Sequence, residues 1–290
     1  MNSRRKFVKQ TALTATALIV AKPFSALAGT GSIFGGTAGN QNSISILHTA
    51  DLFGQLSPVS DSSLYDGLGG FRNLASVVGQ LRDKSSNIIL ADSGNLVSSK
   101  ELSQQEELLE LTSRMQYDAV FMSDAKAETI NSLTGKLPLV NSAEDNGAQL
   151  PYRIIQKGKI RVGIISVTVK SFFIADKFAK KLKKDDNCNL VVCLSSLGYN
   201  KKSRLSDITL AEKSTSIDII LGSGSQSFMT TPHVVDNKLK NEVIINHVGY
   251  GGIVLGKLDI HFNEDGQKQQ VVFDNLMIGT PRNRWKRETA

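Results

Sequence analysis

The chain has 290 residues, 40% of them hydrophobic and 21% charged, an ordinary composition for a soluble globular protein of one large domain or two small ones. Its formal net charge of +7 does not mark a nucleic-acid binder. Residues 1–28 contribute +5 through Arg4, Arg5, Lys6, Lys9 and Lys22, and a basic tail (Arg282, Arg284, Lys286, Arg287, with Glu288) contributes +3, so the body between them is near neutral.

In chain order, the first feature is a charged start, an apolar run over 11–20 and the small-residue site Ala26-Leu27-Ala28. These are the three regions of an export signal. The run is too short to span a bilayer, which takes about 20 residues, so no stable membrane insertion is expected after processing. Arg4-Arg5 followed by Lys6-Phe7-Val8-Lys9 resembles the twin-arginine signal, and cleavage after Ala28 would leave a periplasmic protein. Residues 29–43, rich in Gly, Ser, Thr and Asn, read as a flexible linker.

From residue 44 onward, short β-branched apolar runs recur at 44–48, 88–91, 119–122, 161–167, 190–194, 217–221, 243–248 and 252–262, the pattern of strands covered on both faces. Helical periodicity is expected at 70–84, where Leu74, Val77, Val78 and Leu81 share a stripe, at 103–115 behind an acidic first turn, and at 202–213. This alternation predicts a single α/β domain over 44–280, followed by the tail at 281–290. The run Lys180, Lys181, Lys183, Lys184 reads as a solvated face. Cys188 and Cys193, five apart in a strand-like segment, are expected on opposite faces and unbonded. His48 is expected as a core histidine of the first strand, His233 in a loop after Pro232, and His247 and His261 in late strands, with no metal-ligand spacing among them. No G-x-S-x-G elbow is present, and neither Ser93 nor Ser196 has a base beside it in sequence. Gly222-Ser223-Gly224-Ser225 after a strand suits either a plain turn or a backbone anion nest.

A series of segments in order carries a resemblance. Ile46-Leu47-His48-Thr49-Ala50-Asp51-Leu52-Phe53-Gly54 resembles the opening I-L-H-T-N-D-x-H-G of bacterial 5'-nucleotidases. Gly69-Gly70-Phe71-Arg72, the run Leu90-Ala91-Asp92-Ser93-Gly94-Asn95 and Tyr117-Asp118-Ala119-Val120 before Ser123-Asp124-Ala125 follow it. Leu194-Ser195-Ser196-Leu197-Gly198 stands where the family has L-S-H-L-G, and Ile217 to Gln226 where it has I-D-x-I-I-G-G-H-S-H. Val248-Gly249-Tyr250 and Leu255-Gly256-Lys257-Leu258-Asp259 are similar to its closing strands. Over about residues 44–263 the chain thus resembles the N-terminal, calcineurin-like metallophosphoesterase domain of that family.

The resemblance implies a four-layer α/β/β/α sandwich of two mixed sheets flanked by helices, and a hydrolase site with two divalent cations about 3.5–4 Å apart. Asp51 is retained, but Asn95 stands at the bridging carboxylate and Asp124 at an asparagine. Phe53, Ala125, Ser196, Gly224 and Gln226 stand at five histidines. A site of the family's kind is therefore not expected; what the residues allow is one hard cation on Asp51, Asn95 and Asp124. Phe53 is read either as a plug of the vacated site or as an anchor for a partner. The family also has a C-terminal nucleoside-binding domain, which this chain, ending near Trp285, is not expected to contain. Two functions follow: a catalytically silent binding or assembly protein, or a metal-dependent phosphohydrolase with a rearranged site or completed by a separate chain that carries such a C-terminal domain.

Overall fold

The computed structural model describes residues 8–10, 42–60, 64–97, 105–122, 137–140, 152–200, 202–224 and 228–282. The linker before residue 42, the tail from 283, most of the signal, and Asp124, Ala125 and Gln226 lie outside the described residues.

The first sheet takes its centre from β2 (Ser43–Thr49), β3 (Ile88–Asp92) and β4 (Ala119–Val120), which run parallel. On its other side β11 (Val254–Phe262) pairs antiparallel with β2, and β12 (Lys268–Phe273) and β13 (Leu276–Met277) pair antiparallel with β11. A short strand, β1 (Val8–Gln10), lies parallel to β12, inside the segment read as a signal. In the second sheet β6 (Ile160–Val167), β7 (Leu190–Ser195), β8 (Ile219–Gly222) and β10 (Glu242–His247) are parallel. Antiparallel β5 (Tyr152–Lys157) and β9 (His233–Asp236) flank them.

Most of the apolar residues sort into three slabs, as a four-layer sandwich requires, beside a smaller cluster of Ala50, Val59, Leu68, Val248, Ile253 and Val254. Ile44, Ile46, Ile89, Ile164, Val192 and Ile219 fill the space between the sheets. Leu47, Leu74, Val78, Leu90, Leu108 and Met115 join the first sheet to α1 (Phe71–Lys84) and α2 (Gln105–Met115). Ile165, Ala179, Leu182, Val191 and Ile220 join the second sheet to α3 (Ala175–Lys184) and α4 (Asp207–Lys213). Strands that feed two slabs alternate between them, which is why β3 and β7 are buried at every residue.

The expected α/β/β/α sandwich is the one found, with differences at the margins. Antiparallel β5, β9, β12 and β13 were not foreseen, because their half-exposed residues lack continuous apolar runs. His233 opens β9 rather than sitting in a loop. The helix expected over 202–213 begins only at Asp207, where the Ser206 side chain accepts the Thr209 N–H at 3.3 Å. Cys188 and Cys193 do not face opposite ways: Cys188 precedes β7, and both thiols are free and buried in the slab under α3 and α4. Burial pushes the Cys193 thiol well above its ordinary pKa, so it is packing and not a nucleophile.

Candidate functional site

The carboxyl ends of parallel strands deliver the residues singled out above, at the sheet edge where α/β folds place ligands. Asp51 and Phe53 follow β2, Asn95 follows β3, Ser196 follows β7, and Gly224 follows β8. The turns after β2 and β3 are zipped by backbone hydrogen bonds: Asp51 N–H to Gly94 O at 2.9 Å, Phe53 N–H to Asn95 O at 2.8 Å, and Gly54 N–H to Leu96 O at 2.9 Å. This ladder holds Asp51, Phe53 and Asn95 at φ of 50°, 52° and 56°, in the left-handed region. Asp and Asn visit that region readily; a phenylalanine there is unusual.

Asp51 is buried, with both carboxylate oxygens engaged by donors. The Asn95 side-chain amide donates to Oδ1 at 2.6 Å, and the Gly224 backbone N–H donates to Oδ2 at 2.7 Å. Gly224 sits at φ 77°, and the turn it forms receives an anion of the protein's own, Asp51. A bridging carboxylate would repel Asp51 at this distance unless cations lay between them. The Asn95 amide removes that need.

Asn95 also lines a cavity of about 160 Å³ with Gly94, Leu96, Phe121, Ser196 and Ser223. Ser196 is exposed, and among the described residues its hydroxyl donates to Val167 O at 3.3 Å. Phe53 is 41% exposed and is not among the residues that line this cavity.

Among the described residues, the donors do not fit a pair of dications. Phe53 and Gly224 offer no side-chain ligand, Asn95 turns a donor toward Asp51, and no group of three His, Cys, Asp or Glu side chains is placed to hold a metal among the described residues.

Three buried polar groups were not legible as a unit in the sequence. Asp92 accepts from Thr49 Oγ1 at 2.7 Å and from Gly94 N–H at 2.9 Å, while Thr49 Oγ1 meets Tyr117 Oη at 3.0 Å. Burial pushes the Asp92 carboxyl up to about 8 despite these bonds, with the Asp51 charge adding to the rise. Ser93 does have a base beside it, contrary to expectation: His48 Nε2 lies 2.8 Å from Ser93 Oγ. Strand register carried that signal, because His48 pairs with Ala91 and Ser93 is two residues on, on the same face. The pair is no nucleophile and base. Both side chains are fully buried, and burial, with the nearby His247, lowers the imidazole to about 3. In the second sheet, Ser195 donates to one oxygen of Asp207, and His247 Nε2 lies 2.7 Å from the other. The carboxylate stands between the serine and the imidazole, so this constellation ties β7, α4 and β10 together and is not a hydrolytic triad.

Two mixed sheets between helices, with a polar site at the strand ends, make up a metallophosphoesterase-like α/β fold. The comparisons agree. A 5'-nucleotidase precursor of Thermus thermophilus superposes with a TM-score of 0.69 at 19% identity, over 82% of this chain and 55% of that one. The calcineurin-like phosphoesterase YfkN of Bacillus subtilis superposes at 0.61 and 16% identity, over 81% of this chain and 90% of that one. In sequence, the snake venom 5'-nucleotidase of Naja atra is 23% identical over 272 residues, which is 77% of this chain and 51% of the venom protein. No family model matches. The chain is a homologue of the N-terminal region of 5'-nucleotidases, and it spans about half the length of the curated relatives it matches.

Proposed function

We propose that this chain is a catalytically silent relative of the 5'-nucleotidases, exported to the periplasm by its twin-arginine-type signal and retained there for binding or assembly. The observation that carries the reading is the closure of Asp51, both of whose oxygens are hydrogen-bonded by Asn95 and Gly224 at positions where the family resemblance implies metal ligands. Each Asp51 oxygen keeps a lone pair, but N–H donors of Asn95 and Gly224 face it where the resemblance implies a bridging ligand and a histidine, and no imidazole stands at positions 53, 196 and 224 to complete a coordination shell.

No helix of the described residues is long and apolar enough to cross a membrane. What supports export is the charged start, apolar run and small-residue site of residues 1–28. The partner this reading favours is a separate chain carrying a C-terminal nucleotidase-type domain.

The test is metal content together with turnover. Purified exported protein should hold less than one equivalent of Mn, Zn or Fe and hydrolyse nucleotides and a generic phosphodiester no faster than a blank. Metal-dependent turnover abolished by Asp51→Ala would replace this reading with that of a phosphohydrolase whose site is rearranged. Turnover that appears only when a C-terminal-domain chain is added would support the divided enzyme instead.

A further inference from the structure

We propose that the outer face of α3, with the turn before it, docks on an anionic phospholipid surface. Apolar residues stand exposed where the chain leaves β6: Phe173 is 77% exposed, Val169 57% and Ile174 38%. Core packing accounts for little of this: Phe173 meets the Phe172 ring edge to face, with centroids 5.2 Å apart, and otherwise faces outward. Phe172, next in sequence, is the residue that turns inward to the α3–α4 slab. The helical coil is already forming at this point, since Ile174 N–H and Ala175 N–H both donate to Ser171 O at 3.1 Å. Phe173 therefore lies one turn ahead of Lys177 on a common face.

That face continues as lysine. Lys177, Lys180, Lys181 and Lys184 are all exposed and spaced i, i+3, i+4, i+7, while Ala175, Ala179 and Leu182 are buried opposite them. Lys170 lies exposed in the preceding turn, and Lys213 Nζ stands over the Phe172 ring at 5.7 Å. Residues 170–186 hold six lysines against Asp176, Asp185 and Asp186. Two of these acids are spoken for by exposed ion pairs, Lys180 with Asp176 at 3.2 Å and Lys181 with Asp186 at 3.1 Å. Such pairs are weak and screened by salt, and they leave the face positive.

A solvated helix face would account for the lysines, and those in the last turn also suit the negative helix end. Neither accounts for exposed Phe173, Val169 and Ile174 at the other end of the same stripe. A helix of ten residues is about 15 Å long. Laid flat, it would set its lysines against lipid phosphates while the three apolar side chains enter the boundary between headgroups and acyl chains.

The experiment is co-sedimentation of the full chain with vesicles of phosphatidylcholine alone or with 30% phosphatidylglycerol. Binding is expected only to the anionic vesicles and should be lost as salt rises from 0.1 to 0.5 M. Each lysine near such a surface contributes on the order of fivefold in affinity, so Lys177→Gln with Lys184→Gln should weaken binding about 25-fold. Phe173→Ser should weaken it about tenfold with only a small change in the thermal melt, because the ring is 77% exposed and touches the core only through its edge contact with Phe172. Failure of the wild type to bind anionic vesicles, equal binding to phosphatidylcholine, or undiminished binding by the variants overturns the proposal. If the wild type ignores vesicles and the same variants instead lose a protein partner, the face belongs to that partner and the membrane assignment is wrong. None of these readouts depends on whether the site at Asp51 is catalytic.

Discussion

The side-chain amide of Asn95 donates to Asp51 Oδ1 at 2.6 Å, joining the ends of β2 and β3 across residues that stand 44 apart in sequence. An amide and a carboxylate can share this distance without a cation, and two carboxylates cannot. Asn95→Asp should therefore destabilise the protein at pH 7 by on the order of 1–3 kcal/mol, as expected for a half-buried charge set against the buried Asp51 carboxylate. The penalty should shrink as pH falls, because one shared proton relieves the repulsion. Thermal melts with and without added Mn²⁺ check this: the ion should raise the midpoint of Asn95→Asp and leave the wild type unmoved. A wild type stabilised by Mn²⁺ to the same extent would show that the closure over Asp51 opens readily for metal.

The buried titrating groups set a pH profile for stability. Asp92 rises from an ordinary 3.8 to about 8 on folding, so the folded state holds a proton that the unfolded state has released. Its contribution is fully present below pH 4 and is lost as pH climbs toward 8. His48 falls from 6.5 to about 3, so the folded state lacks a proton that the unfolded state binds, and its contribution is lost as pH drops from 6.5 toward 3. Between about 4 and 6.5 the two slopes oppose each other, with the raised Asp274 and Glu242 carboxyls acting in the sense of Asp92, so stability should vary little there. From 6.5 to 8 His48 no longer opposes Asp92, and stability should decline. Urea midpoints across this range test the profile, and Asp92→Asn should remove the decline above pH 6.5. A wild type that gains stability from pH 6.5 to 8 would contradict the Asp92 assignment.

Gly222 records how closely the second sheet approaches the Asp207–His247 pair. A Cβ built on it would lie 2.0 Å from His247 Nε2, the atom that faces the carboxylate. Gly222→Ala must displace the ring and disturb a buried polar bond, for an expected loss of about 3 kcal/mol. Measured by urea unfolding, the cost should fall in the double variant with His247→Ala, because the smaller side chain removes the clash. Additive costs would show that the strain lies in the backbone and not in the ring.

The sequence made the parallel core legible because its strands are buried on both faces and read as unbroken β-branched runs. Antiparallel β5, with half its residues exposed, gave no such signal. The candidate site was legible in part: Asp51, Asn95 and Gly224 were each singled out by position, and the fold joins them through two hydrogen bonds. Their pairing was hidden because it rests on left-handed turns that composition does not announce. The His48–Ser93 and Asp207–His247 pairs were missed for another reason. Each spans 40 residues or more and becomes visible only once strand register is known.

Phe53 supplies the last test. As a plug of the vacated centre it would be buried, and its removal would cost the 3–5 kcal/mol typical of a large core side chain. Instead it is 41% exposed at φ 52°, a conformation that asparagine or glycine adopts with less strain. Phe53→Asn should therefore leave the fold intact, with stability unchanged or raised by up to about 1 kcal/mol. The Phe53 N–H bond to Asn95 O is made by backbone and survives the change. Phe53→Asp should fold as well, although its charge would stand near Asp51. Thermal melts of both variants, beside their recovery of partners from the native envelope, separate the roles. Folded variants that lose a partner identify Phe53 as an anchor, whereas unfolding of Phe53→Asn would show that the ring is needed in the core after all.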